Sequence, residues 1–341
     1  MIVLLPCRVV AFLLLSPLLM GDLVNAEVTT MRRAQMLMGT LVMVTAVGGD
    51  EPTAQRAAAD ALKEIRRLEE RLSTWMATSE LSQVNAAAGR EPVKISRDTL
   101  EVLTRSLEVA RLTDGGFNIA VGPAVQAWSV TERSDIPSRE QLARLLPLVD
   151  LTALELDDAK ETAFLKRAGM RVDVGGIGKG FAADRAVEAM RAAGATAGVV
   201  TLSGDIKTFG PMPDGTAFLF GIQHPRKESA LLATIELHDE AISTAGDYER
   251  FFERNGVRYH HILDPRTLQP ARECQSVTVI AKEGVMADGL DTGIFVMGPQ
   301  RGMELVERLP DVEAVIVDRD GHILVSSGLQ HRLKLIDSTN R

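Results

Sequence analysis

"VDVGGIGKGFAADRA" (Val172–Ala186) runs from a short β-type stretch into a cluster of glycines, a lysine and then a helical pattern. That order resembles a phosphate-binding loop, but the spacing excludes the two standard ones. A P-loop places four residues between its first glycine and Gly-Lys, with Ser or Thr after the lysine. Here Asp173 and Val174 precede Gly175, and Gly180 follows Lys179. Gly176, Gly178 and Gly180 give G-x-G-x-G, whereas the dinucleotide fingerprint is G-x-G-x-x-G. What remains is a lysine and glycine amides at a helix start, which suits an anion physically and names none.

Outward from this stretch, the periodicity sets the fold class. Thr40–Val47 reads as a strand, and Thr53–Leu72 carries Ala54, Ala57, Ala61, Ile65, Leu68 and Leu72 at helical spacing. Ser96 caps a helix reaching about Thr113, where Asp-Gly-Gly stops it, and a shorter helix spans Ser138–Leu145. Beyond the glycines, Phe181–Ala193 is helical and Gly198–Leu202 reads as a buried strand. The C-terminal half is strand-rich: Phe218–Gln223, Leu231–Leu237, Tyr259–Leu263, Val277–Ala281, Ala314–Val317 and Ile323–Ser326. Two helices, about Gly284–Val296 and Pro299–Leu309, interrupt them. Such mixing, without regular alternation, predicts an α+β fold acting as a single functional unit.

The 341 residues, 45% hydrophobic, suffice for one large core or two modest ones. A formal charge of -8 argues against a broad nucleic-acid surface, which needs clustered Lys and Arg, so no nucleic-acid partner is expected. Met1–Ala26 has one early charge at Arg8, an apolar run Val9–Met20 and small residues ending at Ala26, the pattern of a signal peptide. Residues 27–341 are then the exported domain. The run is short for a membrane span and contains Pro17; retained, it would anchor the chain at the inner membrane. Cys7 precedes the apolar run, which leaves Cys274 alone in the exported chain. No internal disulfide can form, and a buried, unreactive thiol is expected.

Several segments carry chemistry. In "MADGLDTGIFVMG" (Met286–Gly298), Asp288, Asp291 and Thr292 stand at i, i+3 and i+4, so their oxygens share one helical face. Oxygen donors without His or Cys favour Mg²⁺, Ca²⁺ or Mn²⁺ over Zn²⁺; the alternative is an acidic pair complementing the helix dipole. "RYHHILDPRT" (Arg258–Thr267) sets His260 and His261 side by side on a strand, where only one can face a given site and serve as a base; a structural role is the alternative. Trp75 could stack on a planar cofactor or pack in the core. "DGGFNIAVGP" (Asp114–Pro123) allows close backbone approach beside the Asn118 amide, as would an ordinary loop.

Taken in order, Met38-Gly39-Thr40, "LSTWMATSELSQVN" (72–85), "GGFNIAVGP" (115–123), "VDVGGIGKGFAAD" (172–184), "LSGDI" (202–206), "STAGDYERFF" (243–252), "YHHILDP" (259–265) and "ADGLDTGIFVMG" (287–298) resemble the ApbE family of flavin transferases. The resemblance spans roughly Met36–Gly328. It implies mixed sheets with packed helices and a FAD and Mg²⁺ site between subdomains. It also implies an exported, periplasmic, Mg²⁺-dependent FAD:protein FMN transferase, which joins FMN to a Thr or Ser of a target protein and releases AMP. Family targets include periplasm-facing subunits of the sodium-translocating NADH:quinone reductase and of Rnf-type complexes. Some relatives instead hydrolyse FAD to FMN and AMP, and a non-catalytic flavin carrier is a further alternative.

Carried over by motif position, Met38 and Trp75 would line the flavin. Gly116, Phe117 and Asn118 would form an FAD-contacting turn, and Asp173, Lys179 and Ile262 would complete the cradle. Mg²⁺ would take the Gly176 carbonyl with Asp288, Asp291 and Thr292, and His261 would be the base. Gly116, Asn118 and Ala120 replace the family's usual Ala, Asp and Thr, which removes a charge near the nucleotide. The family's acceptor signature is absent here, so self-flavinylation by that route is not expected.

Overall fold

A computed structural model of the chain describes residues 28–132 and 134–336, and the signal peptide read over Met1–Ala26 lies outside them. The hairpin of β1 (Thr29–Leu37) and β2 (Thr40–Gly48) turns through Met38 and Gly39 at φ 50° and 70°, the left-handed pair that matches strand twist. Asp50 starts α1 (Glu51–Leu72) by accepting the Thr53 N–H, and α1 buries the Ala54-to-Leu72 stripe. Ser79 and Ser96 start α2 (Glu80–Ala86) and α3 (Arg97–Leu112) likewise; beyond β3 (Val93–Lys94) and α4 (Gly122–Trp128), Ser138 starts α5 (Arg139–Leu145). Each such cap contributes about 1 kcal/mol. β4 (Leu154–Asp157) and β5 (Thr162–Leu165) pair with β3 in a small sheet.

Helix α6 (Gly178–Ala192) leads into β6 (Ala197–Leu202), β7 (Asp205–Phe209), β8 (Phe218–Gln223), β9 (Leu231–Leu237) and β10 (Ala241–Gly246). Then come β11 (Phe251–Arg254), β12 (Val257–His260), β13 (Cys274–Ala281), α7 (Gly284–Met297), α8 (Pro299–Val306), β14 (Val312–Asp318), β15 (Ile323–Val325) and β16 (Leu333–Leu335). Eight strands join in the order β1-β2-β6-β7-β10-β13-β14-β15, each neighbouring pair antiparallel. This is an α+β architecture.

The period-2 alternation of the central strands builds two cores. Val277, Val279 and Ala281 of β13 point into the main core under the helices. Ile280, with Val315 and Val317 of β14, points the other way, against Ile222 and Ile235 of the β16-β9-β8 sheet. Helices, central sheet and small sheet therefore stack as three layers. Helix α7, apolar and buried nearly all round, lies in the main core. Cys274 is buried and free, and burial pushes its thiol up to about 12. Among the described residues no helix is long and apolar enough to cross a membrane.

Two expectations are corrected. Val172–Val174 is not a strand. The buried Asn85 amide donates to the Val172 carbonyl at 2.9 Å and accepts its N–H at 2.7 Å, satisfying the groups a neighbouring strand would otherwise pair. The strand expected over Tyr259–Leu263 instead ends at His260, because its partner β11 begins at Phe251. The loop beyond is held by a satellite cluster: Trp128 donates its indole N–H to the Leu268 carbonyl at 2.7 Å and stacks on Tyr259 at 5.7 Å.

Candidate functional site

Gly180 and Gly284 let the backbones of α6 and α7 touch. A Cβ on Gly180 would overlap the Gly284 carbonyl and lie 2.7 Å from Asp288 Cβ. This contact allows the Gly180 N–H to donate to Asp288 Oδ2 at 2.8 Å. Asp291 and Thr292 follow on the same face of α7. Thr292 Oγ1 stands 3.1 Å from where a Gly176 Cβ would be, so the glycine backbone lies directly against that hydroxyl. The structure thus brings Gly176, Asp288, Asp291 and Thr292 together.

A third carboxylate joins them that the sequence reading did not assign. Asp205, buried, opens β7 after the Ser203-Gly204 turn, and one oxygen each of Asp205, Asp288 and Asp291 lies within 4.8 Å of the others. Its only sequence signal was its place in "LSGDI". Lys179 pairs with Asp205 and stands 3.8 Å from Asp288 Oδ1. Ser243 lies within hydrogen-bonding distance of both Asp205 and Asp291, 2.6 Å from the latter, but has one proton to give.

The electrostatics follow from burial. It raises the Asp288 carboxyl to about 7, reinforced by Asp205 and opposed by Lys179 and by backbone N–H donation. Burial likewise lifts Asp291 well above the carboxylate range, with Asp288 and Asp205 adding to it. Burial works against the Lys179 charge, yet Asp205 and Asp288 more than offset this and hold its pKa above the ordinary lysine value. One ammonium faces three carboxylates, and Asp291 Oδ1 is buried without a hydrogen-bond partner. An uncompensated, oxygen-only donor set of this kind fits a hard divalent cation.

Of the other expected residues, Met38, Gly116 and Phe117 pack against the Gly176–Gly178 turn or α7. His260 is buried, its Nε2 2.7 Å from the Ala271 carbonyl and its ring edge-on to Phe295, and burial lowers it to about 4. His261 is exposed to solvent, yet neighbouring protein groups enclose its ring. That enclosure, with Arg250, His260 and Lys179 nearby, lowers it to about 3, so it is neutral at pH 7. Its Nδ1 lies 3.3 Å from the Arg250 carbonyl, which leaves Nε2 free when Nδ1 carries the proton. Asp173 accepts the Gly175 N–H at 2.7 Å, and burial raises its carboxyl against the pull of Arg250.

Trp75 is 80% exposed, against the core-packing alternative. Met38 donates its N–H to Glu69 at 2.7 Å and extends its methyl to 3.9 Å from a Cβ position on Gly178. Gly116 packs against Gly293, and Phe117 and Ile262 are core residues. Phe117 supports Gly176 from below, its ring edge 3.5 Å from that Cβ position. Asn118 spends its amide oxygen on the Ala120 N–H at 2.8 Å, so it has its side-chain N–H groups, rather than a whole amide edge, to offer a heterocycle.

Fold and site together define an α+β protein whose buried carboxylate centre adjoins a glycine-led helix start, a class of site that pairs a hard cation with an anionic group. Residues 38–316 match the ApbE family, and the chain belongs to it. It is 31% identical to the FAD:protein FMN transferase of Klebsiella pneumoniae (strain 342) over 89% of this chain and 94% of that one. Identity to the enzyme of the same name from Treponema pallidum (strain Nichols) is 33%, over 92% and 91%. Among solved structures, the ApbE protein of Thermotoga maritima superposes with a TM-score of 0.81 at 30% identity, covering 88% of this chain and 98% of that one. The flavin transferase ApbE of Vibrio cholerae gives 0.81 at 27%, covering 90% and 100%.

Proposed function

We propose that this chain is a Mg²⁺-dependent FAD:protein FMN transferase acting on exported proteins. One observation supports the reading above the others: three buried carboxylates and Lys179 converge beside the Gly176–Gly180 backbone, in a chain whose relatives carry that name. Asp288, Asp291, Thr292 and the Gly176 carbonyl would hold Mg²⁺, with Asp205 as a neighbouring carboxylate. Mg²⁺ bound there supplies charge neutralisation for the FAD diphosphate.

The chain's own groups do the rest. Lys179 favours negative charge on phosphoryl oxygens, while the first amides of α6 are already engaged, Gly178 N–H with the Val174 carbonyl and Gly180 N–H with Asp288. The acceptor Thr or Ser oxygen bonds the FMN phosphorus, the bond from that phosphorus to AMP breaks, and the hydroxyl proton passes to neutral His261. Trp75 offers an exposed ring for the isoalloxazine, with Met38, Asn118 and Asp173 around the nucleotide and Gly116, Phe117 and Ile262 backing them. Acceptors of the kind found on the periplasmic side of the sodium-translocating NADH:quinone reductase or Rnf-type complexes fit an exported enzyme.

The test incubates the exported chain with FAD and Mg²⁺, with and without an acceptor domain. Covalent FMN on the acceptor, with AMP released only in its presence and lost on chelation, is the expected result. Equal AMP release without acceptor identifies an FAD pyrophosphatase. Bound FAD without turnover identifies a carrier.

A further inference from the structure

Helix α7 has no cap of its own. Glu283 occupies its N-cap position, and that side chain bonds none of the first amides. Helices α1, α2, α3 and α5 are capped locally by Asp50, Ser79, Ser96 and Ser138, whereas α4, α6 and α8, like α7, have no side-chain cap. The free N–H groups of α7 find their acceptor on another helix: Asp184 of α6 takes Gly284 N–H on Oδ1 at 2.8 Å and Val285 N–H on Oδ2 at 2.9 Å. Lys207 of β7 closes the node, 3.9 Å from Asp184 Oδ1 and bonded to the Lys282 carbonyl just ahead of α7. The Asp184 and Lys207 side chains are 18% and 12% exposed.

A local cap at position 283, where Glu283 instead pairs with Arg105, would satisfy these amides without burying a carboxylate elsewhere. What Asp184 adds is a tie between helices. It lies five residues along α6 from Lys179, and Asp288 lies four residues along α7 from Gly284, so the tie is about one turn from the carboxylate centre on each helix. We infer that Asp184 is a positioning residue: it fixes the register of α7 against α6, and with it the placement of Asp288, Asp291 and Thr292 opposite Lys179 and Gly176. This rests on the cation reading of the proposed function.

The test measures Mn²⁺ binding to the full chain by electron paramagnetic resonance, without FAD, alongside the melting temperature. Asp184→Ala and Asp184→Asn are expected to weaken Mn²⁺ binding about 10-fold or more, the usual loss when a group orienting metal ligands is removed. Adding Glu283→Ser to Asp184→Ala should restore the melting temperature and not the affinity, because a local cap cannot join α7 to α6. Recovery of both reduces Asp184 to a cap and overturns the inference, as does wild-type affinity in a folded Asp184→Asn protein. If the unaltered chain binds no Mn²⁺, or Asp288→Ala leaves binding unchanged, the cation reading itself fails and takes this inference with it.

Discussion

The Gly180 N–H donates to Asp288 Oδ2 at 2.8 Å, so the backbone of one helix orients a carboxylate of the next. The bond depends on the missing side chain at Gly180, since a Cβ there would overlap the Gly284 carbonyl. Gly180→Ala should therefore push α7 away, costing about 1–3 kcal/mol in denaturant unfolding and weakening cation dependence about 10-fold or more. Gly176→Ala meets only side chains, Thr292 of α7 at 3.1–3.5 Å and Phe117 at 3.5 Å, and should cost less stability. Equal stability of Gly180→Ala and the parent would contradict the close-contact account.

The carboxylate centre should make cation-free stability fall as pH rises. Burial holds the Asp288 carboxyl near 7 in the folded chain, against 3.8 ordinarily, so the folded state binds the extra proton below that value and loses the associated stability as pH rises through it. His260 and His261 act oppositely. Their folded values, about 4 and 3, lie below the ordinary 6.5, so their contribution is complete above 6.5 and lost on acidification. Between pH 6.5 and 8 the carboxylates should dominate. The melting temperature of cation-free protein should decline over that window and recover on adding Mg²⁺, and Asp288→Asn should flatten the decline. A flat profile in the parent chain would count against an uncompensated centre.

These residues differ in how legible they were. The Asp288, Asp291 and Thr292 grouping lay within one helix, where i, i+3 and i+4 spacing is a local property of the chain. Asp205 is a single carboxylate after a tight turn, brought to the centre by the pairing of β6 with β7, which no local spacing encodes. β10 escaped notice because "AISTAG" is rich in small residues, and β1 because Arg32 and Arg33 lie exposed on an edge strand and break the apolar alternation. Val172–Val174 misled for the opposite reason: its β-type side chains fit an extended segment whose partner is a side chain, Asn85.

Trp75 should matter to FAD and not to folding. At 80% exposed it contributes little to the core, whereas stacking on a planar heterocycle is worth about 1–3 kcal/mol by analogy with base stacking on aromatic residues. Trp75→Ala should raise the KM for FAD about 10-fold with an unchanged melting temperature, and Trp75→Tyr should recover most of the loss. A falling melting temperature with normal KM would return Trp75 to a packing role.

The adjacent histidines should separate cleanly. His260 is buried, bonded to the Ala271 carbonyl and packed on Phe295, so His260→Ala opens a cavity and leaves that carbonyl unpaired, at a cost of about 2 kcal/mol or more in unfolding. His261 reaches solvent and leans on the Arg250 carbonyl through Nδ1, so its removal should barely change stability. It should instead lower kcat about 100-fold or more, the usual size of a general-base contribution, with KM for FAD little altered. Because the His261 imidazole is held neutral well below pH 7, any loss of turnover on acidification at limiting Mg²⁺ should come from protons competing with the cation at the Asp288 carboxyl, and should persist in a slow His261→Asn variant. A His261→Asn enzyme that lost this acid limb would assign the titration to the histidine and remove the neutral-base account.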